Sequence, residues 1–339
     1  MIKFYMIIIS YLNFFNIIIN YLFYFLIFKK KKMKHGLIMI GLLFCCLIIC
    51  HRTIKLIKTP INIISPDINN DKEKEKENEK ENDIKKEIIK PIFKTEDFIL
   101  EKILDRKNDN KTYTQGLFFS KDHKSIFESG GLYYESSIIE LEYPSLKMIK
   151  KTNLKSNYFG EGISQCGNYI YQLTWRENII LKYDLNLNLI EEINLDNKMR
   201  EGWGLSNSDK KNELLATDGS EKIYRLDCNN NLKVISKIFV KKNNGEFLYQ
   251  LNDLIYANGF VYVNIYYEDK IAKVNLKNGL VDKIYDLGKI IDYEMKNGIL
   301  NSRNYNSGNV LNGIAYNSEK NNFLITGKKW KFMYEISFN

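Results

Sequence analysis

Histidine is scarce in this chain of 339 residues: there are three, and His35 and His51 precede the β-rich region, leaving His123 alone within it. A zinc site built on several histidines, or a Ser-His-Asp triad, cannot readily be assembled from that supply. Cysteine is equally thin where folding matters. Of five, Cys45, Cys46 and Cys50 sit in an apolar run, which leaves Cys166 and Cys228. Two thiols in separate repeats are expected to stay unpaired, although an oxidising compartment leaves one bridge open to them. The β-rich region also has no Gly-rich phosphate loop and no Cys-x-x-Cys. The formal charge of +9 comes with Lys and Glu mixed along the chain. No basic stripe with interleaved aromatics marks a nucleic-acid footprint, so no nucleic-acid partner is expected.

Three segments follow from composition. Residues 1–52 carry an apolar run from Phe4 to Phe28, a basic cluster from Lys29 to Lys34, and a second apolar run from Gly36 to Cys50. They read as a membrane anchor or signal anchor, with Met33 as an alternative start. The basic cluster stays cytosolic by the positive-inside rule, which puts everything after His51 in the lumen or outside the cell. Residues 53–94 form a linker whose centre, Asp71 to Glu87, is almost all Lys, Glu, Asn and Asp. Such a stretch buries too little apolar surface to offset chain entropy and is expected to be disordered. Residues 95–339 are the globular part.

Within that part, short β-rich runs such as Tyr169 to Thr174, Leu214 to Thr217, Val261 to Tyr266 and Asn322 to Thr326 alternate with Gly, Asn and Asp turns, an all-β signature. One unit recurs. It opens with Gln115-Gly116-Leu117, Glu161-Gly162-Ile163, Trp203-Gly204-Leu205, Asn252-Asp253-Leu254 and Asn312-Gly313-Ile314, at intervals of 46, 42, 49 and 60 residues. Those intervals suit four-stranded blades with one insertion in the last, so the sequence predicts a five-bladed β-propeller.

In a propeller, equivalent positions of the repeat face one axis. The opening residues Gln115, Glu161, Trp203, Asn252 and Asn312 form one ring there; Gly130, Trp175, Asp218, Tyr266 and Lys328, 14 to 16 residues later, form a second. A plain scaffold would repeat small or apolar residues. These rings mix carboxylates, a lysine, amides and large aromatics, as an asymmetric site on a pseudo-symmetric frame requires. Asp218 and Asn312 are expected to satisfy buried backbone groups and are set apart from the site.

Tyr113-Thr114-Gln115-Gly116-Leu117, Phe159-Gly160-Glu161-Gly162, Tyr171-Gln172-Leu173-Thr174-Trp175, Gly202-Trp203-Gly204-Leu205, Thr217-Asp218-Gly219-Ser220, Leu251-Asn252-Asp253-Leu254, Leu311-Asn312-Gly313-Ile314-Ala315 and Thr326-Gly327-Lys328 occur in that order. In motif, order and spacing this set resembles the plant and bacterial glutaminyl-peptide cyclotransferases over about Thr95 to Phe338. The resemblance implies a five-bladed propeller and a cyclisation that uses no metal and no cofactor. Glu161 matches the family's acid/base carboxylate, Asn252 and Lys328 its polar partners, Gln115 a site amide, and Trp175 and Trp203 two pocket tryptophans. Tyr113 stands where the family usually has Phe, and Tyr266 where the plant form has Trp; each keeps an aromatic face and adds a hydroxyl.

Cyclising an N-terminal glutamine asks for orientation and proton traffic, because the substrate supplies both nucleophile and electrophile. Glu161 is expected to carry the proton, Lys328 and Asn252 to hold the γ-carboxamide oxygen, and Tyr113, Trp175, Trp203 and Tyr266 to form the slot. The expected partners are peptides or proteins with N-terminal Gln, the membrane through the N-terminal segment, and no second copy of a monomeric catalytic domain. A non-catalytic lumenal propeller that binds peptide N-termini or a protein partner is the competing reading. Joint presence of Glu161, Asn252 and Lys328 separates the two, since a binding module has no need of an acid/base and a lysine on separate blades.

Overall fold

The computed structural model describes residues 92–106 and 112–339; both apolar runs, the basic cluster and the charged stretch up to Lys90 lie outside the described residues. Among the described residues no helix is long and apolar enough to cross a membrane.

Five antiparallel sheets stand in sequence order. The first blade is β3 (Thr114–Phe119), β4 (Ser125–Gly130), β5 (Ser137–Glu142) and β6 (Met148–Asn153); the second is β7 (Gly160–Cys166), β8 (Tyr169–Thr174), β9 (Ile179–Tyr183) and β10 (Leu189–Asn194). The third is β11 (Leu205–Asn207), β12 (Glu213–Thr217), β13 (Lys222–Asp227) and β14 (Lys233–Phe239); the fourth is β15 (Leu251–Ala257), β16 (Phe260–Ile265), β17 (Lys270–Asn275) and β18 (Val281–Asp286). The fifth runs β19 (Leu311–Asn317), β20 (Asn322–Gly327), β21 (Phe332–Phe338) and is completed from the other end of the chain by β2 (Phe98–Asp105) and β1 (Phe93–Lys94). This is the predicted five-bladed propeller. Its sheet starts at Phe93, just ahead of the boundary at Thr95 read from the sequence.

Burial explains which strand sits where. The inner strands β3, β7, β15 and β19 are buried along nearly their whole length, because each face of a blade is covered by a neighbouring blade. The outer strands β6, β10 and β14 are Lys- and Glu-bearing and mostly exposed. Among the described residues the core accordingly divides into five apolar clusters, one in each gap between consecutive blades. Leu173, Ile180, Leu205 and Ala216, for example, fill the gap between the second and third.

Ring closure depends on residues far apart in sequence. β2 pairs with β21 from Phe98↔Phe338 to Asp105↔Phe332, and Arg106, just past β2, reaches across to the first blade. Its Nη1 and Nη2 each donate to a Glu128 carboxylate oxygen at 2.8 Å, and Thr114 Oγ1 donates to Glu128 Oε1 at 2.6 Å. Both charged side chains are buried. Removing Glu128 takes from the buried Arg106 guanidinium the acceptor of two charge-assisted hydrogen bonds, so Glu128→Ala is expected to destabilise the domain by about 3–5 kcal/mol. A lowered denaturant midpoint with unchanged slope would show it; an unshifted midpoint would rule out this closure.

Two features correct or extend the sequence reading. Cys166 and Cys228, expected as separate thiols, form a disulfide with Cα atoms 6.5 Å apart. The end of β7 and the end of β13 meet between neighbouring blades, so 62 residues of separation along the chain become adjacency in space. The long last interval holds two helices, α1 (Gly288–Asn297) and α2 (Ser302–Asn306). α1 docks by burying Ile290, Ile291 and Glu294; Tyr334 Oη donates to Glu294 Oε2 at 2.7 Å and the Lys331 amide donates to Glu294 Oε1 at 2.7 Å.

Candidate active site

A local irregularity aims the first ring of side chains at the axis. The β3/β4 register shifts between Thr114 and Gly116, β7/β8 between Gly160 and Ile163, β15/β16 between Leu251 and Leu254, and β19/β20 between Leu311 and Ile314. Gln115, Glu161, Asn252 and Asn312 all fall inside these shifts. A bulge turns a side chain out of the pleat it would otherwise follow, so each blade presents its opening residue to the centre. In the third blade the ladder begins only at Leu205, and Trp203 precedes it. The tight approach also needs glycine: a Cβ on Gly162 would meet the Leu205 amide nitrogen at 2.3 Å.

Tyr113, Gln115, Glu161, Trp175, Trp203, Asn252, Tyr266 and Lys328, the eight residues singled out from the sequence, line one cavity of about 200 Å³. Phe159 joins them. The sequence reading used Phe159 only within the motif Phe159-Gly160-Glu161-Gly162, yet its ring packs 5.5 Å from Trp175 and 6.2 Å from Tyr113, centroid to centroid. Its aromatic identity next to Gly160-Glu161 was the available signal.

Polar groups at the cavity floor form a directed relay. Asn312 Nδ2 donates to the Thr114 carbonyl at 3.1 Å and to Gln115 Oε1 at 2.9 Å. With its oxygen so engaged, Gln115 turns its amide donor to Glu161, Nε2 to Oε1 at 3.0 Å. Asn312 therefore satisfies a backbone group, as expected, and also orients the site amide. Behind Glu161, its backbone carbonyl accepts from Ser129 Oγ, which in turn accepts from Gln172 Nε2 at 2.6 Å. Asp218 stays outside the cavity lining, engaged by the Ser220 amide, the Arg200 amide and Tyr224 Oη.

Burial sets the electrostatics. Glu161 is 5% exposed; desolvation pushes its carboxyl well above the usual carboxylate range, the Lys328 ammonium opposes this, and Glu201, Asp253 and Glu177 add to it. Lys328 is 2% exposed, and burial draws its ammonium down to about 8 against the pull of Glu161. Lys328 is thus no solvated surface charge; the neighbouring Lys329 takes that part, pairing with Glu135 at 2.7 Å. The buried ammonium is lodged over two phenol faces, 4.6 Å from the Tyr266 centroid and 5.0 Å from that of Tyr113, contacts that offset part of its lost hydration. Asn252 Oδ1 is buried with no hydrogen-bond partner among the described residues, an acceptor open to whatever enters.

The two added hydroxyls differ in their engagement. Tyr113 Oη donates to the Gly308 carbonyl at 3.3 Å, in the segment after α2, so the inserted helices buttress that wall. The Tyr266 ring packs 5.4 Å from Trp203 and 4.5 Å from Tyr267.

The chain that carries this cavity is similar to known proteins. Residues 82–338 match the family model described as glutamine cyclotransferase. A protein of Arabidopsis thaliana named glutaminyl-peptide cyclotransferase is 34% identical over 237 residues, covering 70% of this chain and 70% of its own. Among solved structures, the crystal structure of Myxococcus xanthus glutaminyl cyclase superposes with a TM-score of 0.61 at 23% identity, over 71% of this chain and 95% of that one.

Proposed function

Because the chain belongs to the glutamine cyclotransferase family, we propose that it converts the N-terminal glutamine of peptides and proteins to pyroglutamate with release of ammonia, using Glu161 as the proton carrier. The observation that carries the reading is a buried carboxylate, a buried ammonium and an unpartnered amide oxygen, on three different blades, lining one cavity of about 200 Å³. That volume suits one amino-acid residue, with the remainder of the peptide leading out through the mouth.

The substrate's α-amine attacks its own γ-carboxamide carbon; the new C–N bond closes a five-membered ring and pushes charge onto the amide oxygen. Lys328 and the Asn252 amide nitrogen are the donors that would hold that oxygen as the charge develops, while the open Asn252 Oδ1 accepts from a nitrogen of the substrate. Glu161 takes the proton released by the amine and returns it to the departing nitrogen, which leaves as ammonia. A carboxyl held above its ordinary range by burial exchanges protons more readily near neutrality than an exposed one. Gln115, its own oxygen fixed by Asn312, keeps Glu161 in one orientation. Phe159, Trp175, Trp203, Tyr113 and Tyr266 exclude water and confine the flexible glutamine side chain to near-attack geometries.

The decisive assay is ammonia release from a Gln-initiated peptide beside the same peptide with its amine acetylated. Release from the free peptide alone is expected, at rates unchanged by a chelator; no release from either would refute the activity, and loss on chelation would refute its metal independence. The same reading places the domain in the lumen or outside the cell, tethered through the N-terminal segment. The Cys166–Cys228 disulfide supports that placement, since such bonds persist in oxidising compartments. Fractionation with protease protection tests it: a cytosolic, protease-exposed domain would overturn it.

A further inference from the structure

The two indole walls of the cavity share one carboxylate that lies outside the cavity lining. Glu201 sits in the segment between β10 and β11 and is three-quarters buried, its side chain 24% exposed. Its Oε1 accepts the indole N–H of Trp203 at 2.9 Å. Its Oε2 lies 3.9 Å from Arg176 Nε, and the Arg176 guanidinium carbon lies over the neighbouring wall, 3.9 Å from the Trp175 ring centroid. The backbones are joined at the same place, the Gly202 amide donating to the Trp175 carbonyl at 3.2 Å. An indole N–H half withdrawn from water needs an acceptor, and a guanidinium stacked on an aromatic face is held by its charge partner.

We propose that Glu201 is a positioning residue that fixes the spacing of Trp175 and Trp203, through the Trp203 indole on one oxygen and the Arg176 guanidinium on the other, and thereby sets how tightly the glutamine side chain is held. This rests on the cyclase reading of the cavity. Glu201 touches neither the reacting atoms nor Glu161; its charge adds to the rise of the Glu161 carboxyl, and its contact with the cavity runs through the walls.

The chain has three tryptophans, of which Trp330 is fully buried elsewhere, so changes in intrinsic emission report on Trp175 and Trp203. Glu201→Ala is expected to raise KM for a Gln-initiated peptide by roughly 10-fold, the loss of one charge-assisted hydrogen bond, with kcat moved much less, and to shift the resting emission to the red. Glu201→Gln keeps an oxygen for the Trp203 indole but turns an amide donor and no charge toward Arg176, so it is expected to restore the emission and about half of the loss in KM on a logarithmic scale. Arg176→Ala raises KM by itself and adds little on top of Glu201→Ala, because the two act through one link. Unchanged KM and emission in Glu201→Ala would overturn the clamp, as would Glu201→Gln being as damaging as Glu201→Ala. Emission is read without turnover, so failure of the wild type to release ammonia would sink the cyclase reading and leave the clamp to be judged separately.

Discussion

Glu161→Gln is expected to lower kcat/KM for ammonia release from a Gln-initiated peptide by roughly 10²- to 10⁴-fold, the usual contribution of a positioned general acid/base. Binding of the peptide should survive. The replacement is nearly isosteric, and its amide oxygen still accepts from Gln115 Nε2, which now donates to Glu161 Oε1 at 3.0 Å, so the floor of the cavity keeps its shape. Burial of a neutral amide is also easier than burial of the carboxylate, so a folding failure does not stand in the way of the test. The variant should therefore behave as a binder that no longer turns over, visible as a peptide-dependent change in tryptophan emission without ammonia. Equal activity in variant and wild type would remove Glu161 from the mechanism. Loss of binding together with activity would assign it to recognition alone.

Why the site could be read so far from sequence has a physical answer. Inner strands of a small propeller crowd the axis, and glycine follows the opening residue in four of the five blades: a Cβ on Gly204 would meet the Asn252 carbonyl oxygen at 2.3 Å, as one on Gly162 would meet the Leu205 amide. The recurring Gly thus records a steric constraint, and the variable residue before it records what faces the axis. Where the fourth blade has Asp253 in place of glycine, its carboxylate instead receives the Ile314 amide at 2.9 Å, which preserves the repeat's position while changing its letter.

What escaped the sequence is non-local. Nothing near Phe98 marks it as the partner of Phe338, because strand pairing across the whole chain leaves no local periodicity. The Cys166–Cys228 bond depends on which strand ends of neighbouring blades meet, and that is fixed by blade geometry. The bulges that turn Gln115, Glu161, Asn252 and Asn312 inward are properties of register between two strands. Phe159 was hidden for a different reason: an aromatic before a tight turn packs against core more often than against a ligand, and only the neighbouring Trp175 and Tyr113 rings show which applies. The Glu201 link likewise needs coordinates, since Arg176 and Glu201 lie on different loops.

Lys328→Met is expected to lower kcat/KM near neutrality by roughly 10²- to 10³-fold, the loss of one donor to the developing oxyanion, and to change the shape of the pH profile in a direction fixed by the charges. In the wild type, activity rises with pH as Glu161 and the substrate amine lose protons, and falls again as the Lys328 ammonium, drawn down to about 8 by burial, becomes neutral. The Lys328 charge favours the ionised form of Glu161 and opposes the desolvation that raises it. Removing that charge leaves desolvation and the neighbouring carboxylates Glu201, Asp253 and Glu177 unopposed, so Glu161 must hold its proton to higher pH. The acid limb of kcat/KM should accordingly move to higher pH in Lys328→Met, and the alkaline fall should disappear because no group remains to lose the ammonium proton. Methionine is unbranched and apolar and can fill the space beside Tyr113 and Tyr266 where the Lys328 ammonium lies now, so the cavity wall is retained. A variant profile that superposes on the wild type after scaling would show that Lys328 neither titrates in the working range nor senses Glu161, and would return it to a structural part in the aromatic wall.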